Sequence, residues 1–329
     1  MRLRMIWEAA PHNAFTDLIR YNDLWYCVLR EGLGHASDDG RARIIRSRDG
    51  LTWEPVALLA WEGGDVRDPK LSITPDGQLM VSAAVRLLQP EGDDRHRSVT
   101  WLSADGDGFS GPFACPTGLG TWRWSVTWHD GAGYSFGYGG RDRGGTLYRT
   151  DDGRRWKPVA RELFPPGLAS ETSIVFMPDE RAYCLLRRDP ETTHSALAAL
   201  GTAWPPYTSW EWIELGLRMG APEMILVADE NRLLAVARLY DPVRTSLCEI
   251  EPLACRLPEV KQLAAARWRA AELIPFPSGG DTSYAGVALH AGELWISYYS
   301  SHEGRPRVYL ALMLVPAPPP RLGWCAPES

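Results

Sequence analysis

The chain has 329 residues, 45% of them hydrophobic and 23% charged, so it can bury a large core. Its net charge of −6 is ordinary for this length and favours neither nucleic acid nor an anionic membrane surface as a partner. No apolar run approaches the ~18 residues of a membrane helix, and residues 1–11 lack the apolar stretch of a signal peptide. We therefore expect a cytoplasmic protein, or a secreted or periplasmic one whose leader was removed.

The residue content favours short strands over long helices. The chain contains 31 Gly, 26 Pro and 15 Trp, which is typical of many strands joined by turns. Among the six cysteines there is no CxxC spacing, and Cys27 and Cys184 lie in apolar strand patterns that predict buried thiols. No phosphate-binding loop, dinucleotide fingerprint or histidine–carboxylate metal motif is present, so we predict no cofactor and no metal.

In chain order, a short β-run at residues 2–7 is followed by six similar hairpins. Each hairpin is a β-run, a polar turn and a second β-run, and the six span residues 15–29, 68–86, 125–138, 171–187, 223–238 and 281–299. The last unit, ending at residues 307–315, is one strand short. We predict that the N-terminal run supplies this strand and removes the free edges. Residues 252–261 are interpreted as a long insertion, and residues 263–272 as a short helix.

A second repeat falls between the outer strands of the first three units. The pattern Ser/Thr-x-Asp-Gly-x-x-aromatic occurs at residues 47–53, 103–109 and 150–156. Asp49, Asp105 and Asp152 would accept turn N–H bonds, and each following glycine supplies a positive φ. A motif recurring once per unit of about 50 residues indicates a propeller. We predict one all-β domain over residues 1–329, a six-bladed β-propeller of four-stranded antiparallel blades, closed by the N-terminal strand.

In a propeller, the start of each inner strand and the end of the second strand open on the same face. At these positions the chain places many charges: Asp17, Arg67, Asp68, Arg123, Glu171, Glu223 and Asp281 at strand starts, with Arg30, Arg86, Arg187, Arg188, Arg238 and Tyr299 at strand ends. Such charges are costly to desolvate unless they are paired or bind a ligand. A structural ion-pair network is one interpretation. The other is a site for a carbohydrate or an anion, because arginine forks match carboxylates and Trp122, Trp124 and Tyr138 suit sugar faces.

The aspartate turns resemble the Asp boxes of sialidases, although each is one residue shorter than the commonest spacing. Residues 171–187 look like the fourth-blade motif of that family, in which a Glu opens the inner strand and an Arg closes the next. Residues 284–299 look like its sixth-blade motif, which begins with a nucleophilic Tyr. Arg67-Asp68-Pro69 stands where the family has a second-blade motif whose Asp lines the pocket.

This resemblance implies a glycoside hydrolase that acts from the non-reducing end of a small or anionic glycan. It assigns Tyr284 as nucleophile, Glu171 as its base, and Arg187 and Arg238 to a carboxylate clamp. A neutral phenol suits an anionic sugar, because a carboxylate nucleophile would be repelled. The family's general acid lies in the loop after the first hairpin, where the candidates are His35, Asp38 and Asp39, of which we take Asp38. The predicted partner is a carbohydrate, and the sequence makes no prediction of oligomeric state.

The first blade departs from the family pattern. The family has Arg-Ile-Pro there, and this chain has Thr16-Asp17-Leu18. An aspartate repels a substrate carboxylate, so Arg67 or Arg30 from a neighbouring position would have to compensate.

Two alternatives remain open. Two carboxylates could act without a tyrosine nucleophile, as in an inverting glycosidase or a polysaccharide lyase. The acids available are Asp17, Asp68, Glu171, Glu223, Asp281 and Glu303, with Tyr299 and His302 as substrate contacts. The second alternative is a propeller without catalytic activity that binds carbohydrate or serves as a scaffold.

Overall fold

The computed structural model describes residues 1–253 and 267–317, and these residues form six antiparallel sheets. Helix is confined, in these two ranges, to three 3-10 turns at Pro116–Gly118, Gly140–Asp142 and Ala228–Glu230. None of the helical segments described is long and apolar enough to cross a membrane. The sheets are the blades of a six-bladed β-propeller, numbered here in chain order, which confirms the predicted fold class.

The strands follow one another from the axis outwards in each blade. The chain begins with β1 (Arg2–Trp7), which belongs to blade 6. Blade 1 contains β2 (His12–Tyr21), β3 (Leu24–Gly32), β4 (Arg41–Ser47) and β5 (Glu54–Leu59). Blade 2 contains β6 (Gly64–Ile73), β7 (Leu79–Glu91), β8 (Asp94–Ser103) and β9 (Ser110–Phe113). Blade 3 contains β10 (Trp122–Arg123), β11 (Thr127–His129), β12 (Ala132–Tyr138), β13 (Thr146–Thr150) and β14 (Lys157–Ala160).

The second half of the ring repeats this order. Blade 4 contains β15 (Leu168–Phe176), β16 (Ala182–Asp189), β17 (Ala199–Ala203) and β18 (Glu211–Glu214). Blade 5 contains β19 (Met219–Val227), β20 (Arg232–Tyr240), β21 (Val243–Leu253) and β22 (Arg267–Pro275). Blade 6 contains β23 (Thr282–His290), β24 (Glu293–Ser300) and β25 (Arg307–Leu314), with β1 as its outermost strand.

The N-terminal strand closes the ring, as the sequence predicts. Strand β1 runs antiparallel to β25, with Arg2 opposite Leu312 and Arg4 opposite Leu310. The last blade therefore has its fourth strand from the opposite end of the chain. This pairing joins the two ends of the described chain and leaves no missing strand in blade 6.

The core lies between neighbouring blades, because both faces of each sheet are covered. Between blades 1 and 2, for example, Val28 and Ile44 pack with Val81 and Val99, and all four are buried. Branched residues of this kind suit a pleated surface that is buried on both faces. The predicted buried thiols are confirmed, since Cys27 and Cys184 are free and buried.

The three aspartate turns share one set of hydrogen bonds. In the first, Asp49 Oδ1 accepts from the backbone N–H groups of Leu51 at 2.8 Å and Thr52 at 3.2 Å, and the hydroxyl of Ser47 accepts from Gly50 at 2.8 Å. These bonds lower the pKa of Asp49. The turns at Asp105 and Asp152 make the same bonds, and all three join the third strand of a blade to the fourth.

The glycine of each turn packs against the preceding blade. A Cβ on Gly50, Gly106 or Gly153 would overlap Trp295, Tyr26 or Met80, respectively, each near the start of the second strand of that blade. The glycine therefore has two roles: it adopts the positive φ that closes the turn, and it leaves room for a side chain of the preceding blade.

We expect Gly50→Ala to destabilise the protein more than Gly77→Ala. The two glycines have similar φ values, 73° and 79°. The backbone strain of an alanine is therefore the same in both variants and costs about 1–2 kcal/mol. A Cβ at Gly77 has open space, whereas at Gly50 it meets Trp295, which stacks on Trp25 with ring centroids 4.0 Å apart. Overpacking adds about 1–3 kcal/mol. Urea unfolding of both variants measures the difference, and equal losses would contradict the packing role.

The prediction of a short helix at residues 263–272 is wrong where the structure describes it. Residues 263–266 lie outside the described ranges, and β22 begins at residue 267. Its Ala270 lies opposite Ile250 and is buried, while Trp268 packs on Tyr183 with ring centroids 5.3 Å apart. Pairing with β21 and burial against blade 4 thus override the local helix propensity of this alanine-rich segment.

Candidate functional site

Five of the inner strands share a β-bulge near their first residues. At each bulge two residues of the inner strand oppose one residue of the second strand, and the first of the two is Phe15, Asp68, Ser170, Ala221 or Tyr284. Four of them have positive φ values: 57° at Phe15, 47° at Asp68, 48° at Ala221 and 50° at Tyr284. A bulge re-aims a side chain, and such strain is typical of functional sites. The bulges lie at the same end of each blade, where the strand starts face the axis.

Tyr284 and Glu171 form the centre of the site. The Tyr284 hydroxyl donates a hydrogen bond of 2.7 Å to Oε1 of Glu171, and Oε2 of Glu171 accepts from the backbone N–H of Ala221 at 2.6 Å. Burial raises the pKa of Tyr284 well above its usual value, and the charges of Glu171 and Asp68 raise it further. Tyr284 is therefore a neutral phenol with a fixed carboxylate ready to accept its proton. A phenol and a carboxylate in this geometry can act as a nucleophile and its base.

Arg187 and Arg238 flank Tyr284. Nη1 of Arg187 lies 2.6 Å from Oε1 of Glu171 and 3.4 Å from the Tyr284 hydroxyl, and Nη2 donates to Asp189 at 2.9 Å. The guanidinium carbon of Arg238 lies 5.3 Å from the centroid of the Tyr284 ring, and its Nε donates to the carbonyl of Thr282 at 2.9 Å. Both arginines thus reach the predicted site and already have protein partners there.

Asp68 is the second carboxylate of the site. It is buried, and its Oδ1 has no hydrogen-bond partner among the described residues. Burial raises the pKa of Asp68 to about 6, with Arg67 opposing the shift and the charge of Glu171 adding to it. A buried acid whose pKa is raised towards neutrality and whose oxygen has no protein partner can donate a proton to a ligand in mildly acidic solution.

Further polar atoms beside the bulges or beside the Tyr284 ring also lack partners among the described residues. They include the hydroxyls of Ser170 and Ser283, and the indole nitrogen of Trp124, whose ring centroid lies 5.9 Å from that of Tyr284. Ser170 and Ser283 lie at or next to bulges. Because buried polar groups are nearly always paired in folded proteins, this group of free donors and acceptors indicates a place for a polar ligand or ordered water.

Asp281 and its hydrogen-bond partners form one side of the rim, by which we mean the edge of the site around Tyr284. The hydroxyl of Tyr299 donates to its Oδ1 at 2.6 Å, while ring nitrogens of His12 and His35 lie 2.9 and 2.8 Å from its Oδ2. Although burial alone would raise the pKa of Asp281, these hydrogen bonds lower it. The aromatic rings of Phe15 and Tyr284 complete this side, with centroids 5.0 Å apart.

The interior of the axis carries a buried ionic group. Lys70 Nζ lies 3.3 Å from Oε2 of Glu223, so it reaches from blade 2 to blade 5. Asp17 Oδ2 accepts from the backbone N–H of Leu71 at 2.7 Å, and its Oδ1 accepts from Leu18 at 2.8 Å. Burial raises the pKa of both Asp17 and Glu223, and Lys70 opposes the shift in each case.

Three predicted site residues require correction. Arg30 and Asp65 form an ion pair of 2.7 Å in which both side chains are 0% exposed, so Arg30 contacts no substrate. Both carboxylate oxygens of Asp17 accept backbone hydrogen bonds, one of them from Leu71 in the next blade, so its predicted contact with a substrate is replaced by protein partners. Asp38 is 67% exposed and pairs with Arg86 at 2.5 Å, without a contact to Tyr284 or Glu171. Within the loop after β3, His35 reaches Asp281 at the site, whereas Asp38 is turned towards Arg86 of blade 2.

Three other candidate residues, Arg67, Glu303 and Asp39, have protein partners beside the site or away from it. Arg67 packs its guanidinium carbon 5.0 Å from the Phe15 ring and donates to the carbonyl of His35 at 2.7 Å. It borders the site and is occupied by protein contacts. Glu303 accepts from Tyr309 at 2.6 Å on the outer surface. Asp39 accepts from the backbone of Leu33.

Sequence reasoning missed two residues in and beside the site. Phe15 occupies the bulge of blade 1, and Arg218 stacks on Tyr240 with 3.7 Å between the guanidinium carbon and the ring centroid. Arg218 also lies 3.7 Å from Asp189, the partner of Arg187. Its position directly before β19 is a strand start, which is the signal that could have found it.

Similarity to known proteins lies in structure alone. No protein-family model matches the chain, and no curated protein matches its sequence. A solved structure of a protein of unknown function from Dyadobacter fermentans is 17% identical, with a TM-score of 0.76 over 96% of this chain and 98% of that one.

Two glycosidases are also similar. An α-L-arabinofuranosidase from Fusarium graminearum, solved with an iminosugar inhibitor, is 12% identical, with a TM-score of 0.69 over 94% of this chain and 97% of its own. A sialidase from Streptococcus pneumoniae is 12% identical, with a TM-score of 0.69 over 95% of this chain and 70% of its own. At such identities the similarity establishes the fold. The chain has the six-bladed, sialidase-like propeller fold that these glycosidases share.

Proposed function

We propose that the chain is a glycoside hydrolase that removes one sugar from the non-reducing end of a small or anionic glycan. The observation that carries this proposal is the 2.7 Å hydrogen bond from the buried phenol of Tyr284 to Glu171, flanked by Arg187 and Arg238. The glycosidase fold supports the same reaction class.

The proposed reaction has two displacements. Tyr284 Oη attacks the anomeric carbon while Glu171 takes the phenol proton, and the bond to the leaving-group oxygen breaks. Asp68, protonated at the start, gives its proton to that oxygen. A water molecule then attacks the anomeric carbon, Asp68 takes a proton from the water, and the Tyr284–sugar bond breaks. Glu171 returns its proton to the phenolate, so the enzyme is regenerated and the configuration is retained.

Asp68 replaces Asp38 as the proposed general acid. Its free Oδ1 and its pKa of about 6 are what the role requires. Asp38 is mostly exposed and paired with Arg86, so it has neither feature.

A carboxylate-only glycosidase is the second candidate. The charge of Glu171 helps to raise the pKa of Asp68, and Asp68 has an oxygen available to a ligand. These two acids could flank a glycosidic bond as base and acid, with Tyr284 serving only to position the sugar.

Hydrolysis of chromogenic glycosides tests the proposal. The panel contains an α-sialoside, an α-L-arabinofuranoside, a β-glucuronide and a neutral β-glucoside, because sialidases and an arabinofuranosidase share the fold. We expect turnover of at least one substrate, lost in Glu171→Gln, which keeps the acceptor for the N–H of Ala221. Glycan binding by the protein with no turnover of any substrate would favour the propeller that binds sugar without catalysis.

A further inference from the structure

Three residues that are far apart in the sequence meet on the rim of the site. His12 begins β2, His35 lies in the loop after β3, and Asp281 directly precedes β23. Their potential ligand atoms all lie within 4.8 Å of one another. We infer that His12, His35 and Asp281 bind one divalent transition-metal ion, with Zn²⁺ as the ion that fits best.

The types of ligand atom determine which metal ion fits. Two imidazole nitrogens and one carboxylate oxygen are the ligands that Zn²⁺ and similar first-row ions accept, whereas Mg²⁺ and Ca²⁺ prefer oxygen alone. Bonds of about 2.0–2.2 Å to zinc place tetrahedral ligand atoms about 3.3–3.6 Å apart. The present separations from Asp281 Oδ2 are 2.9 Å to His12 Nε2 and 2.8 Å to His35 Nδ1. The two separations between the carboxylate oxygen and the imidazole nitrogens therefore need to widen by about half an ångström.

His35 can supply this movement. It lies in a loop and its side chain is 51% exposed, whereas the side chain of His12 is 6% exposed and fixed in blade 1. The exposed side also leaves room for a water molecule as the fourth ligand. Three protein ligands with an open fourth position are typical of zinc sites that contact a substrate.

Residues next to the three ligands both favour and oppose metal binding. Tyr299 donates to Oδ1 of Asp281 at 2.6 Å and so keeps Oδ2 directed at the two histidines, as outer-shell partners of metal ligands do. Against binding, Nδ1 of His12 has no acceptor among the described residues, and Nη2 of Arg238 lies 3.9 Å from Oδ1. We therefore expect an affinity of order micromolar, weaker than that of a structural zinc site.

A bound ion would connect the first and last blades at the mouth of the site. It would tie the start of β2, the loop after β3 and the start of β23 to one centre. Binding to the folded state alone raises the free energy of unfolding, so Zn²⁺ should raise the midpoint of thermal unfolding.

The test uses the full chain after treatment with EDTA. Titration calorimetry with ZnCl₂ is expected to give one ion per chain, and Co²⁺ should give a visible absorption band from a site with nitrogen ligands. His35→Ala and Asp281→Asn should each weaken binding at least about 10-fold. The control is His194→Ala, because His194 is also exposed and next to a carboxylate, Glu191, and belongs to no candidate metal cluster among the residues that the structure describes.

An unchanged affinity in His35→Ala, or no stoichiometric binding by the wild type, would overturn the inference. No glycoside is used, so the result is independent of the proposed hydrolase activity. The rise in unfolding temperature gives a second readout, which should be lost in His35→Ala and kept in His194→Ala.

Discussion

Tyr284→Phe is expected to lower kcat on the best glycoside at least about 10³-fold, because the variant removes the nucleophile. The ring itself should stay in place, since it packs against Phe15, Trp124 and Tyr299. Circular dichroism and the unfolding midpoint should therefore change little. Initial rates under saturating substrate measure the effect.

Tyr298→Phe is the matched control for this variant. Tyr298 is another buried tyrosine of blade 6, and its hydroxyl donates to the carbonyl of Pro277 at 2.8 Å. Its loss should cost about 1 kcal/mol of stability and leave kcat unchanged. If Tyr284→Phe retained wild-type turnover, the tyrosine mechanism would be wrong and the carboxylate-only mechanism would take its place.

The second large effect is expected for Asp68→Asn, which cannot protonate a leaving group. Loss of a general acid costs about 10²–10⁴-fold in rate. The loss should be large for an alkyl glycoside and small for an aryl glycoside whose phenolate leaves without a proton. A comparison of kcat/KM for the two substrates measures the role directly.

The pH dependence of the same variant provides a further check. Because the pKa of Asp68 in the folded protein is raised to about 6, the acid is protonated below that pH and ionised above it. The kcat/KM of the wild type should therefore fall as the pH rises through about 6, and this limb should be absent in Asp68→Asn. If Asp68→Asn lost activity by the same factor on the alkyl and the aryl glycoside, and if its kcat/KM still fell as the pH rose through about 6, another residue would be the general acid.

The substitution Asp68→Asn should raise the stability of the protein although it lowers the activity. The raised pKa means that the folded state favours the protonated form, so the ionised carboxylate weakens folding as the pH rises from about 4 to 6. Asparagine has no charge to bury. Asp68→Asn is therefore expected to unfold at a higher temperature than the wild type at pH 8.

Local sequence signals were sufficient for much of the fold. Polar turn residues between alternating β-runs gave the six hairpins, and the missing strand in the last unit gave the closure by residues 2–7. The prediction of a short helix is wrong because pairing of β22 with β21 decides the conformation of Ala270, and no local sequence pattern indicates that pairing.

The site was harder to predict, for a physical reason. Glu171 and Tyr284 could be brought together by resemblance to a family motif, and the structure places them 2.7 Å apart. The bulges at Phe15 and Asp68 left no recognisable sequence pattern, although they decide where these side chains point. Arg30 looked like a site residue because it ends a strand, and only Asp65 of the next blade reveals its buried pairing.

The metal-ligating cluster shows the same limit. His12, His35 and Asp281 lie in three separate segments, so their spacing follows no sequence motif. Ring closure brings blade 1 beside blade 6 and creates the cluster. Sequence inspection alone therefore predicted no metal.

Covalent trapping tests the central assignment most directly. A 2-deoxy-2-fluoro or 3-fluoro glycosyl fluoride of the best substrate slows the second displacement, and peptide mass spectrometry then locates the attached sugar. The expected result is one sugar on the peptide that contains Tyr284, at the phenolic oxygen, and no label in Tyr284→Phe. A label on Glu171 or Asp68, or turnover with inversion of configuration, would contradict the tyrosine nucleophile.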